Sequence, residues 1–280
     1  MTPTIRLRRL AAEMRRLRES NEMTREEVSE RTSINETTIY RLETARVRRP
    51  QKRTLATLLD LYGVTDPRRA ELLELGREAE QQGWLQPYHS ELPEQYTTYI
   101  GFEAEARSVS NYESLFVPGL LQTEEYARAV ITGVLPMASE PEVEQRVQAR
   151  IDRQRLLTKP DPLKLWAIVD EAALHRQVGG PDLMRAQLVH LIKAAGESHV
   201  TLQVIPYSVG AHAGMPGSFI LIDFPNPADP DVVYLDSMAG DLFLEKETEL
   251  RRYRLLFEHL RAVASSPDQT TKMLATLTDD

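Results

Sequence analysis

The residues from 24 to 43 constrain the fold of this chain more than any other segment, because they predict two short helices joined by a tight turn. Thr24 is suited to cap the first helix, and Glu27 three residues later completes a capping box. Asn35 is suited to cap the second helix. In that second helix Ile39 and Leu42 share one apolar face, and the polar residues lie on the opposite face. The segment therefore predicts a compact helix pair with one buried side.

Apolar residues at helical spacing continue through the first 80 residues. One stripe predicts a helix from about Ile5 to Ser20, and two more predict helices on either side of Gly63. The stripes consist of Leu7, Leu10, Met14 and Leu17, then Leu55, Leu58, Leu59 and Tyr62, and finally Leu72, Leu73 and Leu75. We therefore expect residues 1–80 to form a mainly α headpiece of five helices around one small core.

The chain has 280 residues, which is enough for two domains. From 81 to 93 the apolar pattern lapses, and one glycine and two prolines interrupt it, so we expect a linker there. Residues 94–280 mix helical and strand patterns. Apolar runs at 163–169, 200–205, 219–224 and 232–236 predict strands, and the last two predict an antiparallel hairpin. We therefore expect an α+β domain with a small, largely antiparallel sheet.

The helical segments of this second domain are also visible in the sequence. Ser139 is suited to cap a helix that continues to about Leu157, and another helix is expected to end at Gly196. A long final helix is expected to carry a narrow apolar seam, suited to packing on the domain body or on a second subunit. The seam consists of Leu250, Tyr253, Phe257, Leu260 and Ala264.

The composition excludes several classes of protein. No run approaches 18 consecutive apolar residues, so we expect no membrane span. The arginine-rich start lacks the apolar segment of a secretory signal. The absence of cysteine excludes disulfides and thiolate metal sites, and it fits a reducing cytoplasm. We therefore expect a cytoplasmic protein.

Charge is distributed unevenly along the chain. The whole chain has a net charge of −8, but residues 1–65 contain 14 lysines and arginines against nine aspartates and glutamates. A basic headpiece on an acidic body is the asymmetry expected when one end contacts phosphate. A helical domain that is arginine-rich for another reason would give the same count. The charge therefore supports nucleic-acid binding only together with the helix pair.

A second helix with a buried back and a polar front is suited to enter the major groove of DNA. Thr37 can contact a phosphate or a base edge, Glu36 can accept from cytosine, and Arg41 can donate to guanine or phosphate. Glu36 fits equally well as an acid favoured by a helix N-terminus. A basic cluster follows the helix, where we expect contacts with the DNA backbone. The cluster consists of Arg46, Arg48, Arg49, Lys52 and Arg53.

The runs TREEVSER (24–31) and INETTIYRLE (34–43) resemble the XRE-type helix-turn-helix family, which includes the lambda and 434 repressors. The resemblance covers residues 5–65 and implies a lambda-repressor-like headpiece. It also implies contacts with DNA from Arg25, Glu36 and Thr37, with Tyr40 and Arg41 one turn further along. That family usually has glycine at the turn, where this chain has Ser33.

Several runs in the second domain resemble the C-terminal domain of actinobacterial WhiJ-like and antitoxin-like transcriptional regulators. The runs are YIGFEAEA (99–106), VPGLLQTEEYAR (117–128), RIDRQ (150–154), DEAALH (170–175) and GAHAG (210–214). The resemblance implies a DNA-binding regulator that is often encoded beside a small BldB-like partner protein. It implies no particular chemistry for the C-terminal domain.

The sequence predicts no catalytic site, no metal site and no cofactor. Glu171 and His175 are four residues apart, but no second histidine lies nearby at ligand spacing. The run at 210–214 lacks the pattern of a phosphate-binding loop and predicts a loop between two strands. The run at 117–119, followed by Thr123, predicts a turn and a helix cap.

We therefore expect a sequence-specific transcriptional regulator that binds a double-stranded DNA operator. A homodimer is expected, because one headpiece buries too little surface for tight specificity. The second domain is expected to sense a small partner protein or a small-molecule effector. Two alternatives stay open. One is an antitoxin-like interaction protein that neutralises a small partner and regulates its own synthesis, and the other is an enzyme tethered to DNA, with Glu171, His175 and His212 as isolated candidates.

Overall fold

The computed structural model describes residues 5–47, 50–80, 92–226, 229–237 and 240–279. These residues group into two compact units. Residues up to 80 form the first unit together with 93–102, and residue 92 and residues from 103 onward form the second. The expected linker, 81–93, lies almost entirely outside the described residues. The domain boundaries drawn on either side of it therefore stay predictions.

The first unit contains the five helices expected from the sequence. They are α1 (Ile5–Ser20), α2 (Arg25–Thr32), α3 (Glu36–Glu43), α4 (Lys52–Leu61) and α5 (Arg68–Glu80). One apolar core joins all five of them, so the expected mainly α headpiece is confirmed. The buried members of this core are Leu10, Met14, Val28, Ile39, Leu42, Leu55, Leu58, Leu59, Tyr62 and Leu72.

The second unit is built on a six-stranded sheet within the described residues. The strands are β1 (Ser108–Glu113), β2 (Lys164–Asp170), β3 (Val200–Ile205), β4 (Phe219–Asp223), β5 (Val232–Leu235) and β6 (Leu242–Leu244). Their order in the sheet is β3-β2-β1-β4-β5-β6. The β1–β2 and β2–β3 pairs are parallel, whereas β1–β4, β4–β5 and β5–β6 are antiparallel. The α+β class is confirmed, but the sheet is mixed rather than purely antiparallel.

The four strands expected from the sequence are all present, and the antiparallel pairing of β4 with β5 is confirmed. The sequence did not reveal β1 or β6. β1 has the sequence SVSNYE, in which serine and asparagine are poor strand formers. Its place between β2 and β4, rather than its own propensity, makes it a strand.

The helices of the second unit are α7 (Glu124–Val134), α8 (Glu140–Arg153), α9 (Glu171–His175), α10 (Pro181–Ala195), α11 (Glu247–Val263) and α12 (Pro267–Asp279). A further helix, α6 (Glu94–Glu105), spans the boundary between the two groups of residues. Short 3-10 turns at 119–121, 154–157 and 207–209 join these elements. Within the described residues, no helix is both long enough and apolar enough to cross a membrane.

The apolar seam of α11 packs against the sheet of its own chain. Leu250, Phe257 and Leu260 are buried in one cluster with Tyr112 and Phe219. The expectation that α11 ends the fold was wrong, since α12 follows it. The edge of the sheet at β3 is covered by α12 and by the loop before it. The Val204 carbonyl accepts from the Ser265 N–H at 2.8 Å, and the Val204 N–H donates to the Thr270 hydroxyl at 3.1 Å.

Candidate nucleic-acid interface

The start of α2 and the turn after it are fixed by local hydrogen bonds. The Thr24 hydroxyl accepts from the Glu27 backbone N–H at 3.2 Å, and the Glu27 carboxylate accepts from the Thr24 N–H at 2.7 Å. This is the expected capping box, and the bond from Thr24 lowers the pKa of Glu27. Ser33 ends the helix with φ 57° and ψ 19°, a left-handed conformation that glycine adopts more easily. The turn therefore keeps its geometry without glycine.

The second helix of the pair, α3, is held from behind by the core. The Asn35 side chain accepts from the Thr37 N–H at 2.8 Å and caps the helix, as expected. Ile39 and Leu42 are buried at 1% and 3% exposure. The four side chains of α3 that were expected to contact DNA are all exposed. They are Glu36, Thr37, Tyr40 and Arg41.

The exposed side chains differ in how directly they face away from the core. Successive residues of an α-helix are about 100° apart around its axis. In this projection down the helix axis, Thr37 lies almost opposite the buried Ile39 and Leu42. Tyr40 and Arg41 lie on either side of that direction, one turn further along, and Glu36 lies at the flank. Thr37, Tyr40 and Arg41 therefore form the centre of the outward face.

Two arginines hold the ring of Tyr40. The guanidinium carbons of Arg25 and Arg46 lie 5.3 Å and 5.7 Å from the ring centroid. Arg46 also donates to the Tyr40 hydroxyl at 3.3 Å. The structure thus brings together three residues that the sequence had assigned to DNA contact from three different segments, namely α2, α3 and the loop after α3.

Arg25 is tied to a buried ion pair that the sequence analysis missed. The Glu43 side chain is 1% exposed, and its carboxylate accepts from Arg18 at 2.6 Å and 3.1 Å and from Arg25 at 2.8 Å. Arg18 in turn donates to the carbonyl of Met23 at 2.8 Å. This network, which we call the Glu43 cluster, joins α1, α2 and α3. Arg18 continues the buried stripe of Leu7, Leu10 and Met14, and a charge on such a stripe is the signal that could have revealed it.

The basic cluster after α3 is described in part. Arg46 is exposed, as are Lys52 and Arg53, which are the first two residues of α4. Gln51 makes no side-chain capping bond, and the first turn of α4 contains no acidic residue. Two cations at an uncapped helix N-terminus do not stabilise that helix, whereas a phosphate there would. Arg48 and Arg49 lie outside the described residues.

The isolated candidates of the second unit have hydrogen-bond partners within that unit. His212 Nε2 lies 3.1 Å from Asp170, and its Nδ1 accepts from the Gly214 N–H at 3.2 Å. Glu171 accepts from the Tyr207 N–H at 2.6 Å and lies 3.1 Å from His175 Nε2. These contacts hold the loop from 207 to 214, which joins β3 and β4 as expected, at the carboxyl end of β2. No group of three or more metal-ligating side chains occurs in the described ranges.

Comparison with protein families gives two matches. A model described as "Helix-turn-helix domain" matches residues 9–72, which include α2, α3 and the Glu43 cluster. A model described as "Domain of unknown function (DUF5753)" matches residues 96–276. Comparison with curated proteins and with solved structures gives no significant match. The first match assigns to the N-terminal unit the kind of domain with which DNA-binding regulators contact DNA.

Proposed function

The chain belongs to the family of proteins that contain the DUF5753 domain, here after a helix-turn-helix domain, and we propose that it is a sequence-specific transcriptional regulator. One observation carries this proposal. Thr37, Tyr40 and Arg41 are exposed on the outward face of α3, while Ile39 and Leu42 fix the opposite face in the core. A rigid helix with small and hydrogen-bonding side chains on its free face is suited to read base edges in the major groove.

Contacts with phosphate are assigned to the residues around this face. Lys52 and Arg53 place two cations at the uncapped start of α4, and Arg46 adds a third beside Tyr40. Such contacts fix the register of a protein on the duplex and carry no sequence information. Arg25 is held by Glu43, so its guanidinium approaches DNA in one preset orientation rather than as a free chain.

The finer assignments follow the resemblance described above. We place the headpiece in the XRE-type group and the whole chain with the WhiJ-like and antitoxin-like regulators. We propose that the protein acts in the cytoplasm as a homodimer, which would let two headpieces read half-sites about one helical turn apart. The second domain would receive the signal, from a small BldB-like partner protein or from a small-molecule effector. The hydrogen bonds of His212 and Glu171 hold the loop from 207 to 214, which supports a structural role for these two residues.

The proposal is tested by selecting bound sequences from a random duplex library with the full-length protein. Binding is then measured by fluorescence anisotropy at several salt concentrations. Thr37→Ala and Arg41→Ala should each weaken binding to the selected site by about 1–3 kcal/mol and relax the preference at one position. Lys52→Ala should weaken binding to all sequences alike and reduce the salt slope by about 1.

Arg251→Ala is the matched control, because Arg251 is an exposed arginine on α11 in the other unit. This variant should bind the selected site as the wild type does. If no sequence is enriched, or if Thr37→Ala and Arg41→Ala bind as well as the control, α3 does not read DNA. If the selected sequence lacks two related half-sites, the proposed homodimer is contradicted, but the proposed DNA binding by α3 is not.

A further inference from the structure

One face of the second unit's sheet carries polar side chains where three strands end. Asn111 of β1 pairs with Ile220 of β4, which pairs with Tyr234 of β5. Two residues further along the same face, this register places Glu113, Ser218 and Asp236 side by side. Tyr112 and Phe219 point to the opposite face, where they pack in the cluster with α11. We call Asn111, Glu113, Ser218 and Asp236 the polar row.

The electrostatics of the polar row centre on Glu113. Burial raises the pKa of its carboxyl to about 7, and the carboxylate of Asp236 adds to the rise. Hydrogen bonds from Ser218 and Asn111 and the charge of Arg150 oppose it. Arg150 comes from α8, so this helix places a guanidinium beside the row. Glu113 is therefore a desolvated carboxyl with an exposed carboxylate, Asp236, and one cation, Arg150, near it.

Two groups at this site have unused hydrogen-bonding capacity. The Asn111 side chain, in a residue only 4% exposed, has a buried Oδ1 with no hydrogen-bond partner. The buried Nε of Arg150 also has none. The same guanidinium donates through Nη1 to the Gln122 amide oxygen at 2.9 Å, and Gln122 is itself fixed by donating to the Val117 carbonyl at 2.6 Å. Buried polar atoms without a partner are rare in folded proteins, so each calls for an occupant.

One of the two unused atoms is a hydrogen-bond acceptor and the other is a donor, and this difference indicates which ligand groups would fit. Asn111 Oδ1 is an acceptor, and Glu113 and Asp236 add carboxylate acceptors beside it. An ammonium group has three donors and no acceptor, so it matches these three. Arg150 Nε is a donor, and a carboxylate is the group it pairs with most strongly. Asp236 is exposed and Glu113 is half-buried, so the row is open to solvent at one end.

We propose that the polar row binds a small zwitterionic ligand of the amino-acid class. Asn111, Glu113 and Asp236 hold its ammonium group, and Arg150 holds its carboxylate. This site deepens the proposed regulatory function, because it would be an effector site in the second domain. Any effect of the ligand on DNA binding rests on that proposed function. Since an ammonium group favours the ionised form of Glu113, binding strengthens as the pH rises through about 7.

The test uses the full-length protein without DNA. Each of the twenty L-amino acids is added in a thermal-unfolding assay, with butylamine and butyrate as probes that carry one charge each. At about 100 times the dissociation constant, a bound amino acid should raise the Tm of the second domain by roughly 5 °C or more. The single-charge probes should give a smaller shift. If no amino acid raises the Tm, the proposal is overturned.

Variants locate the binding on the polar row. By calorimetry, Asn111→Leu and Arg150→Gln should each bind the active amino acid at least tenfold more weakly. Arg155→Gln is the matched control, because Arg155 follows α8 and its side chain is 75% exposed, and it should bind as the wild type does. Glu113→Gln serves as a second variant if Asn111→Leu does not fold, and it should abolish the pH dependence of binding. Unchanged affinity in the folded variants would overturn the site.

Operator affinity is then measured with and without the amino acid. A ligand that binds at the polar row and changes operator affinity supports both proposals. A ligand that binds there in a protein with no operator overturns the regulatory function and supports the site. If an operator is bound but no amino acid is, and Asn111→Leu melts at a higher temperature than the wild type, the unused groups hold water and the site is overturned.

Discussion

Replacing Glu43 by glutamine probes how the recognition helix, α3, is held in place. Glu43 is buried, and its carboxylate accepts three hydrogen bonds from two arginines, between 2.6 Å and 3.1 Å long. Glutamine keeps the shape but removes the charge and turns one acceptor into a donor that faces Arg18. The Arg18 side chain is only 10% exposed, so its charge would stay desolvated. Its one remaining carboxylate partner among the described residues would be Glu19, which is half exposed and lies 3.5 Å away.

The cost follows from the burial of this pair. Removing one partner of a buried ion pair costs roughly 3–5 kcal/mol, because the other charge is left uncompensated. Arg25 moderates the loss, since its side chain is 30% exposed and can return to water, and we therefore expect about 3 kcal/mol. A helical unit of this size has a total stability of about 5–10 kcal/mol. The Tm of the first unit should fall by about 12 °C or more.

Calorimetry of the full chain measures the Tm, and hydrogen exchange of peptides covering α1 and α3 assigns the loss to the first unit. Operator affinity should fall as well, because the Glu43 cluster fixes both α3 and Arg25. Arg15→Gln is the control, since it removes an ion pair with Glu19 in which both side chains are more than half exposed, and it should leave the Tm unchanged.

A double variant separates the loss of charge balance from the loss of packing. In Arg18→Met/Glu43→Leu both buried charges are replaced by apolar side chains of similar size, which is often neutral or stabilising. This variant should therefore melt well above Glu43→Gln. A Glu43→Gln protein within about 1 kcal/mol of the wild type would refute the reasoning, and so would a double variant less stable than the single one.

Three further changes test the turn, the cap and the acidic site. Ser33→Gly should stabilise the first unit by up to about 1 kcal/mol, because glycine adopts the left-handed conformation of this position without strain; chemical denaturation measures it. Asn35→Ala should destabilise α3 by about 1 kcal/mol by removing the cap on the Thr37 N–H, seen as faster hydrogen exchange there. Glu113 has a raised pKa in the folded chain, so its contribution to stability falls as the pH rises from about 4.5 to 7. Glu113→Gln should therefore lose less stability over that interval than the wild type, by up to about 3 kcal/mol in urea titrations.

Each of these expectations has an opposite outcome. A less stable Ser33→Gly protein would mean that the serine side chain makes a contact worth more than the strain. Unchanged exchange in Asn35→Ala would mean that water replaces the cap at no cost. Parallel stability curves for Glu113→Gln and the wild type would mean that the carboxyl is not desolvated in the folded chain.

The local sequence was sufficient to predict the headpiece. Caps such as Thr24 and Asn35 act within three residues, and the apolar stripes of α1 and α4 repeat within one helix. The strands β2 to β5 were likewise visible as apolar runs. β1 was not, because its polar residues are stabilised in a strand by neighbours more than 50 residues away in sequence, on β2 and β4.

The outward face of α3 followed from helical periodicity, but the environment of its residues did not. The family resemblance assigned Arg25 to DNA contact and left Glu43 unassigned, whereas in the folded chain Glu43 pairs with both Arg18 and Arg25. Arg18 and Glu43 are 25 residues apart, and no pattern of local spacing links them. The same holds for Arg150 and Glu113, which belong to a helix and a strand.

The amino-acid sequence by itself determined the five helices of the headpiece and which side of α3 is apolar. These properties depend on caps and periodicity, which act over a few residues. The tertiary structure alone decided that the sheet is mixed, that Glu43 is buried between two arginines and that Asn111 and Arg150 have unused hydrogen-bonding atoms at one site. Such properties depend on which segments, distant in sequence, pack against each other. Burial between those segments then removes water from the charged groups and changes the free energy of their ionised forms.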